Sequence, residues 1–337
     1  MIRFSFFLLI VITAACGSDH ETQKQRFLIR GNEALKEQNY KQAIGFYQEA
    51  IKIDDCYAPA HNNLGTVYFR QNQFTMAVQS YDKAINCDNQ YYDAILNRAN
   101  AFYELNELYR ALDELEFVKS KLPDTATVHF RLGLVNTKLH KYDVALADFN
   151  RALELDSNNV ETLINRGTVN FYQKKYQAAR EDLELALSID PLEANAYNAL
   201  ALIDVEQSNF ASALSQVERA LDIESGQPYF LNNRGFIYLQ LDRLEEAKAD
   251  IDRSIKIDPQ NAWAYRNKGW YYYKTAKPDK AIELLQRAAK LDPFVDKVHL
   301  FLGEIYESTG DTGKACEQYQ LARERKEQVV TSLSCND

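Results

Sequence analysis

The chain has 337 residues, 46% hydrophobic and 26% charged, the balance of an ordinary globular protein. This composition excludes collagen, low-complexity disorder and a disulfide-dense miniprotein, and 12 glycines with 7 prolines are too few for a turn-rich all-β chain. The formal charge is −9, from 39 lysines and arginines against 48 aspartates and glutamates, which argues against nucleic acid as a partner.

Residues 1–15 read MIRFSFFLLIVITAA, with one charge at Arg3 and a short apolar core from Phe4 to Ile12. At about 1.5 Å of helical rise per residue, that core is too short to span a bilayer. The small residues Ala14 and Ala15 complete the layout of a secretory signal. Cys16 follows at once, and the arrangement resembles the lipobox of bacterial lipoproteins, departing from it at Thr13, where leucine is usual. The resemblance implies lipidation of Cys16 as the new N-terminus. It also implies an outer-membrane destination, because Gly17 rather than aspartate comes next. Membrane contact is then through the acyl anchor alone, palmitate-like chains adding ~0.8 kcal/mol per buried methylene. A cleaved, unlipidated signal on a periplasmic or secreted protein is the alternative. Residues 16–23 read as a linker.

From Lys24 the chain repeats every 34 residues. Gly31, Gly65, Gly133, Gly167, Gly235, Gly269 and Gly303 share one grid, with Ala99 and Ala201 in its other two slots. Twelve residues on, all nine slots hold alanine: Ala43, Ala77, Ala111, Ala145, Ala179, Ala213, Ala247, Ala281 and Ala315. Four further on, Tyr47, Tyr81, Leu115, Phe149, Leu183, Val217, Ile251, Leu285 and Tyr319 are all apolar. Small residues at positions 8 and 20 let two helices cross closely, and large ones around the crossing fill the space. Asp190-Pro191, Asp258-Pro259 and Asp292-Pro293 mark helix ends.

This pattern resembles the tetratricopeptide repeat (TPR), over nine repeats with boundaries 24–57, 58–91, 92–125, 126–159, 160–193, 194–227, 228–261, 262–295 and 296–329, and a tail at 330–337. The resemblance implies an all-α fold, an α-solenoid wound as a right-handed superhelix of helix-turn-helix units. Helix A takes positions 1–14 and helix B positions 18–30. Each helix pair has an apolar face that only a neighbouring repeat can bury. In the last repeat, Ala322-Arg323-Glu324-Arg325 replaces the usual leucines with charges, which suits a solvent-facing end. Lys119 and Lys121 occupy the same slots in repeat three, with Phe117 and Val118 shifted in front, so an irregular superhelix is expected between repeats three and four.

No metalloprotease, phosphate-loop or serine-hydrolase motif occurs, so no catalytic residue, metal ligand or cofactor is assigned. His61, His129 and His299 fall at position 4, a packing slot that other repeats fill with Phe27, Tyr197 and Tyr265. Cys56, Cys87, Cys316 and Cys335 allow three pairings; the local one, Cys56–Cys87 with Cys316–Cys335, would staple each end, and free thiols are the alternative.

In the TPR family the concave surface is lined by helix A positions 2, 5, 6, 9, 12 and 13. Position 6 holds Asn63, Asn97, Asn165, Asn233 and Asn267, and position 5 adds Asn62, Asn198 and Asn232. An asparagine amide both donates and accepts, so it can pair with a peptide backbone. The series looks like the asparagine ladder in the TPR half of O-linked N-acetylglucosamine transferase. The other reading is that asparagine is simply common there. Arg131 and Ala199 interrupt it. The carboxylate clamp of chaperone-binding TPR proteins is not matched, since Leu28, Asp93 and Asn97 stand at its cationic positions.

Trp263 and Trp270 sit at positions 2 and 9 of repeat eight, two turns apart on one face, with Tyr273 at position 12. Tyr229 and Phe236 occupy positions 2 and 9 of repeat seven. They read as a binding platform or as contacts between neighbouring repeats. Arg30, Arg98, Arg166, Arg234 and Lys268 at position 7 read as structural. The expected function is a non-catalytic protein-interaction scaffold or adaptor of the cell envelope, holding an extended protein segment. The alternative is an oligomeric structural subunit of an envelope secretion, assembly or motility machine, in which the chain self-associates.

Overall fold

The grid of small residues is where the two helices of each repeat meet. The computed structural model describes the backbone of residues 3–335 and the side chains of residues 19–335. Cys16 and the apolar segment before it lie outside the described side chains. Among the described residues there are eighteen helices and no strand. They are α1 (Arg3–Lys36), α2 (Tyr40–Ile53), α3 (Ala58–Arg70), α4 (Phe74–Cys87), α5 (Tyr92–Glu104), α6 (Leu108–Lys121), α7 (Ala126–Lys138), α8 (Tyr142–Leu155) and α9 (Val160–Tyr172). Then come α10 (Tyr176–Ile189), α11 (Ala194–Glu206), α12 (Phe210–Ile223), α13 (Pro228–Gln240), α14 (Leu244–Ile257), α15 (Ala262–Lys274), α16 (Pro278–Leu291), α17 (Val298–Ser308) and α18 (Thr312–Glu324). Odd-numbered helices are helices A and even-numbered ones helices B, so the expected α-solenoid of helical hairpins is what the chain forms. The segment 16–23, read as linker, continues α1. No helix among the described residues is long and apolar enough to cross a membrane.

The alanines at position 20, Ala43 through Ala315, are fully buried in all nine repeats. So are the large residues four positions later, from Tyr47 to Tyr319. A Cβ on Gly133 would stand 2.4 Å from the Phe149 ring, so the aromatic at position 24 needs a glycine opposite it. Ala99 and Ala201 face Leu115 and Val217 instead. Ser254 replaces the alanine usual at position 27 and stays buried because its hydroxyl donates to the Pro228 carbonyl at 2.7 Å. In repeat three, α6 keeps the usual length and Val118 the usual buried slot.

Each A–B turn places its fifteenth repeat residue in the left-handed region, from Gln38 (φ 58°) through Ala276 (φ 55°) to Gly310 (φ 84°). The turn closes with two bonds back to helix A, as where the Asn39 amide reaches the Ala34 carbonyl and Gln38 reaches Leu35. Only repeat nine uses the glycine that this conformation favours.

The chain divides into two compact units, Met1–Val169 and Asn170–Asp337. Within each, successive helices pack together. Helices A also meet the next helix A, as α1 with α3, α3 with α5 and α5 with α7 in the first unit, and α11 with α13, α13 with α15 and α15 with α17 in the second. Among the described residues no two helices B of either unit touch. Each unit therefore curves with its helices A on the inner side.

Candidate functional site

The asparagines expected to meet a peptide meet one another instead. In the first unit Asn97 Nδ2 donates to Asn62 Oδ1 (3.0 Å), Asn62 to Asn63 (3.1 Å), and Asn63 to Asn32 (2.8 Å), whose oxygen also accepts from the Tyr47 hydroxyl at 2.8 Å. In the second unit Asn233 donates to Asn198 and Asn267 to Asn232, both at 2.8 Å. Asn62, Asn232 and Asn267 are buried. Asn165 donates to the Glu161 carbonyl of its own helix. The free ladder is thus corrected to a set of ties between consecutive helices A. The reason is their close approach: a buried amide must find partners, and the nearest is the amide one repeat away.

The aromatic platform is corrected in part. Trp270 stacks on Phe301 of the next repeat, centroids 4.1 Å apart and planes 19° apart, and Tyr273 leans on it at 5.1 Å. Phe236 packs against the same core, with the Arg266 guanidinium 5.4 Å from its centroid. Phe301 holds position 6, where five other repeats have asparagine, and an apolar pair rather than an amide tie joins repeats eight and nine. Trp263 and Tyr229 remain exposed. Lys297, in the left-handed region before α17, sits over Phe236 and reaches Glu206 at 3.3 Å, joining repeats nine and six.

Position 7 reaches carboxylates on helices B: Arg98 to Asp82 and Glu114, both 2.5 Å, and Arg234 to Asp250 at 2.6 Å. His61 and His129 place Nε2 against the carbonyls of Asp55 and Pro123, at 2.9 and 2.7 Å. Cys56 is joined to Cys87 and Cys316 to Cys335, the local pairing among the three considered. The second bond holds the tail beside α18, where Thr331 and Ser332 donate to Glu307.

The feature that sequence reasoning passed over is Arg131, noted only as an interruption of the asparagines. It lines a cavity of about 380 Å³ on the inner face of the first unit, with Phe69, Tyr103, Glu104, Phe130 and Glu161. These are positions 12, 12, 13, 5 and 2 of their repeats, all on the family's concave set. Arg131 Nε is shielded from solvent and has no hydrogen-bond partner. Burial holds its guanidinium below the usual arginine range, with Glu161 opposing the shift. Glu104 and Glu161 are exposed at the rim. The interruption itself was the available signal.

Models of tetratricopeptide repeats match residues 31–72 and 65–106, 126–159, 164–228 and 266–329, and 229–293. The chain is a tetratricopeptide-repeat protein. Such repeats are typically non-catalytic protein-interaction modules, and the TPR chain is a protein-interaction scaffold in that sense. No curated protein matches it. Among solved structures, the human IFIT1 dimer with m7Gppp-AAAA is 20% identical, covering 80% of this TPR chain and 69% of its own, with a TM-score of 0.57. That likeness is one of fold. A tetratricopeptide repeat protein from Parabacteroides merdae is 16% identical over 84% of this chain and 99% of its own, TM-score 0.45. YrrB, described as a TPR protein with an unusual peptide-binding site, is 22% identical over 53% of this chain and 93% of its own, TM-score 0.39.

Proposed function

We propose that the protein is an adaptor tethered at a bacterial cell envelope through lipid on Cys16, and that it receives an extended protein segment on the inner face of its first unit. The observation that carries the binding part is the open cavity lined from repeats two to five, with aromatic walls and an unpartnered cation. The second unit offers less on the same face, since Trp270, Phe236 and Arg266 are engaged between repeats. A net charge of −9 favours a protein partner over nucleic acid. The envelope part is supported by the signal-like segment ending at Cys16.

The test is photo-crosslinking in the native cell, with the reactive residue at Asn100 or Glu104 in the cavity and at exposed Asp113 on α6 as control. Partners captured from the cavity and not from Asp113 support the reading. Equal capture at all three sites overturns it, and capture of a second copy of the chain turns it into the self-assembling subunit. Palmitate labelling that survives Cys16→Ala overturns the tether.

A further inference from the structure

Position 6 is where this protein ties one helix A to the next through asparagine amides, and repeat four places Arg131 there instead. The exchange removes a tie on both sides. Asn97 turns back to Asn62, and Asn165 bonds within its own helix. It also leaves a guanidinium nitrogen shielded from water without an acceptor. Arg131 as a whole is half-buried, and a shielded guanidinium nitrogen normally finds an acceptor. Arg98 and Arg234, at position 7 against helices B, and the inward-facing Arg266 all have carboxylate partners. Among the described residues Arg131 has none, although three carboxylates, Glu104, Asp156 and Glu161, line its cavity.

We infer that the Arg131 cavity is a subsite for one carboxylate of a bound peptide, flanked in that peptide by basic side chains. The guanidinium supplies a planar set of donors that matches a carboxylate. Glu104 and Glu161 at the rim repel a run of acidic residues and attract lysine or arginine on either side of the single acid. Phe69, Tyr103 and Phe130 give the segment an apolar wall. Lys138 Nζ already lies over Tyr103, 3.8 Å from its centroid, so a cation on that ring is geometrically feasible. Arg131 among carboxylates, with Lys138 engaged on Tyr103, differs from a clamp of several free cations, which would select a polyacidic tail. The carboxylate is either an acidic side chain or a chain terminus. The inference rests on the proposal that this face receives a peptide.

The test uses the purified full-length chain and a synthetic bead library of random dodecapeptides, made once as C-terminal amides and once as free acids. The wild type is expected to enrich peptides with one Asp or Glu next to Lys or Arg. Enrichment among amides assigns a side-chain carboxylate, and enrichment confined to free acids assigns the terminus. Arg131→Gln is expected to weaken the best peptide by about tenfold or more, and changing the peptide's acid to its amide should then have no further effect. Glu104→Gln with Glu161→Gln should abolish the preference for basic neighbours. An unchanged melting temperature or a higher one shows that Arg131→Gln is folded, since it removes an uncompensated charge. If peptides bind the wild type and Arg131→Gln equally well, or the enriched set lacks acids, the subsite is overturned while the peptide-binding face stands. If no peptide binds at all, both fall.

Discussion

The two units carry inward-facing arginines one position apart, and the difference between them is what the next repeat supplies. Arg266, at position 5 of repeat eight, is buried. It donates to Asn267 Oδ1 at 3.0 Å and pairs with Asp296 of the next repeat. Arg131, at position 6 of repeat four, has a cavity where that partner would be. One arginine joins two repeats, and the other is left with binding capacity at some cost to the fold. Side-chain type and groove position alone therefore do not decide whether a residue is available to a ligand. The neighbouring repeat decides it.

The largest expected effect tests the packed side of this contrast. Trp270→Ala should destabilise the second unit by about 3 kcal/mol, because it empties the stack on Phe301. Trp263→Ala should change stability by less than about 0.5 kcal/mol, since it truncates an exposed ring. Hydrogen exchange resolved along the chain reads both, and equal effects would break the distinction between packed and available aromatics.

The arginines come next. Arg266→Gln should cost about 1.5–3 kcal/mol through loss of charged hydrogen bonds, whereas Arg131→Gln should leave the first unit's stability level or raise it. Urea unfolding followed by exchange in each unit separates the two. A comparable loss at Arg131 would mean that it holds the fold together after all.

Alkaline pH probes the first unit's crossings. Burial pushes the hydroxyls of Tyr47 and Tyr81 up to about 12 from an ordinary value near 10. The unfolded chain therefore releases these protons before the folded chain does. Their contribution is fully present below pH 10 and is lost as pH rises from 10 to 12. The urea midpoint should fall over that window, and Tyr81→Phe should make the fall shallower. A fall already complete below pH 10 would contradict it.

The smallest effect should be the same kind in both units. Gln38→Gly in the first unit and Ala276→Gly in the second should each stabilise by up to about 1 kcal/mol, because both residues hold a left-handed turn that glycine adopts freely. A loss in either melting temperature would show that the side chain matters more than the backbone there.

Much of the fold was legible because the repeat constrains it nine times over. Position 20 admits only alanine, and one glance down the column from Ala43 to Ala315 places both helices of each hairpin. The candidate site was legible only as a list of positions. The asparagines at positions 5 and 6 read as a ladder for a peptide, and their ties to one another were not legible, because the pairing partners lie 31 to 35 residues away. Trp270 presents a similar case. Its contact with Phe301 depends on how repeat nine is set against repeat eight.

By itself, then, the sequence determined the number of repeats, the helix phase, the buried columns and the position set that faces inward. These follow from local periodicity and from the size of side chains at one close crossing. Tertiary structure alone decided which inward-facing groups are satisfied. Asn62, Asn232, Asn267, Trp270 and Arg266 find partners on an adjacent repeat, and Arg131 does not. The physical reason is that satisfaction of a polar or aromatic group is a property of pairs, and here the two members of each pair stand on different repeats.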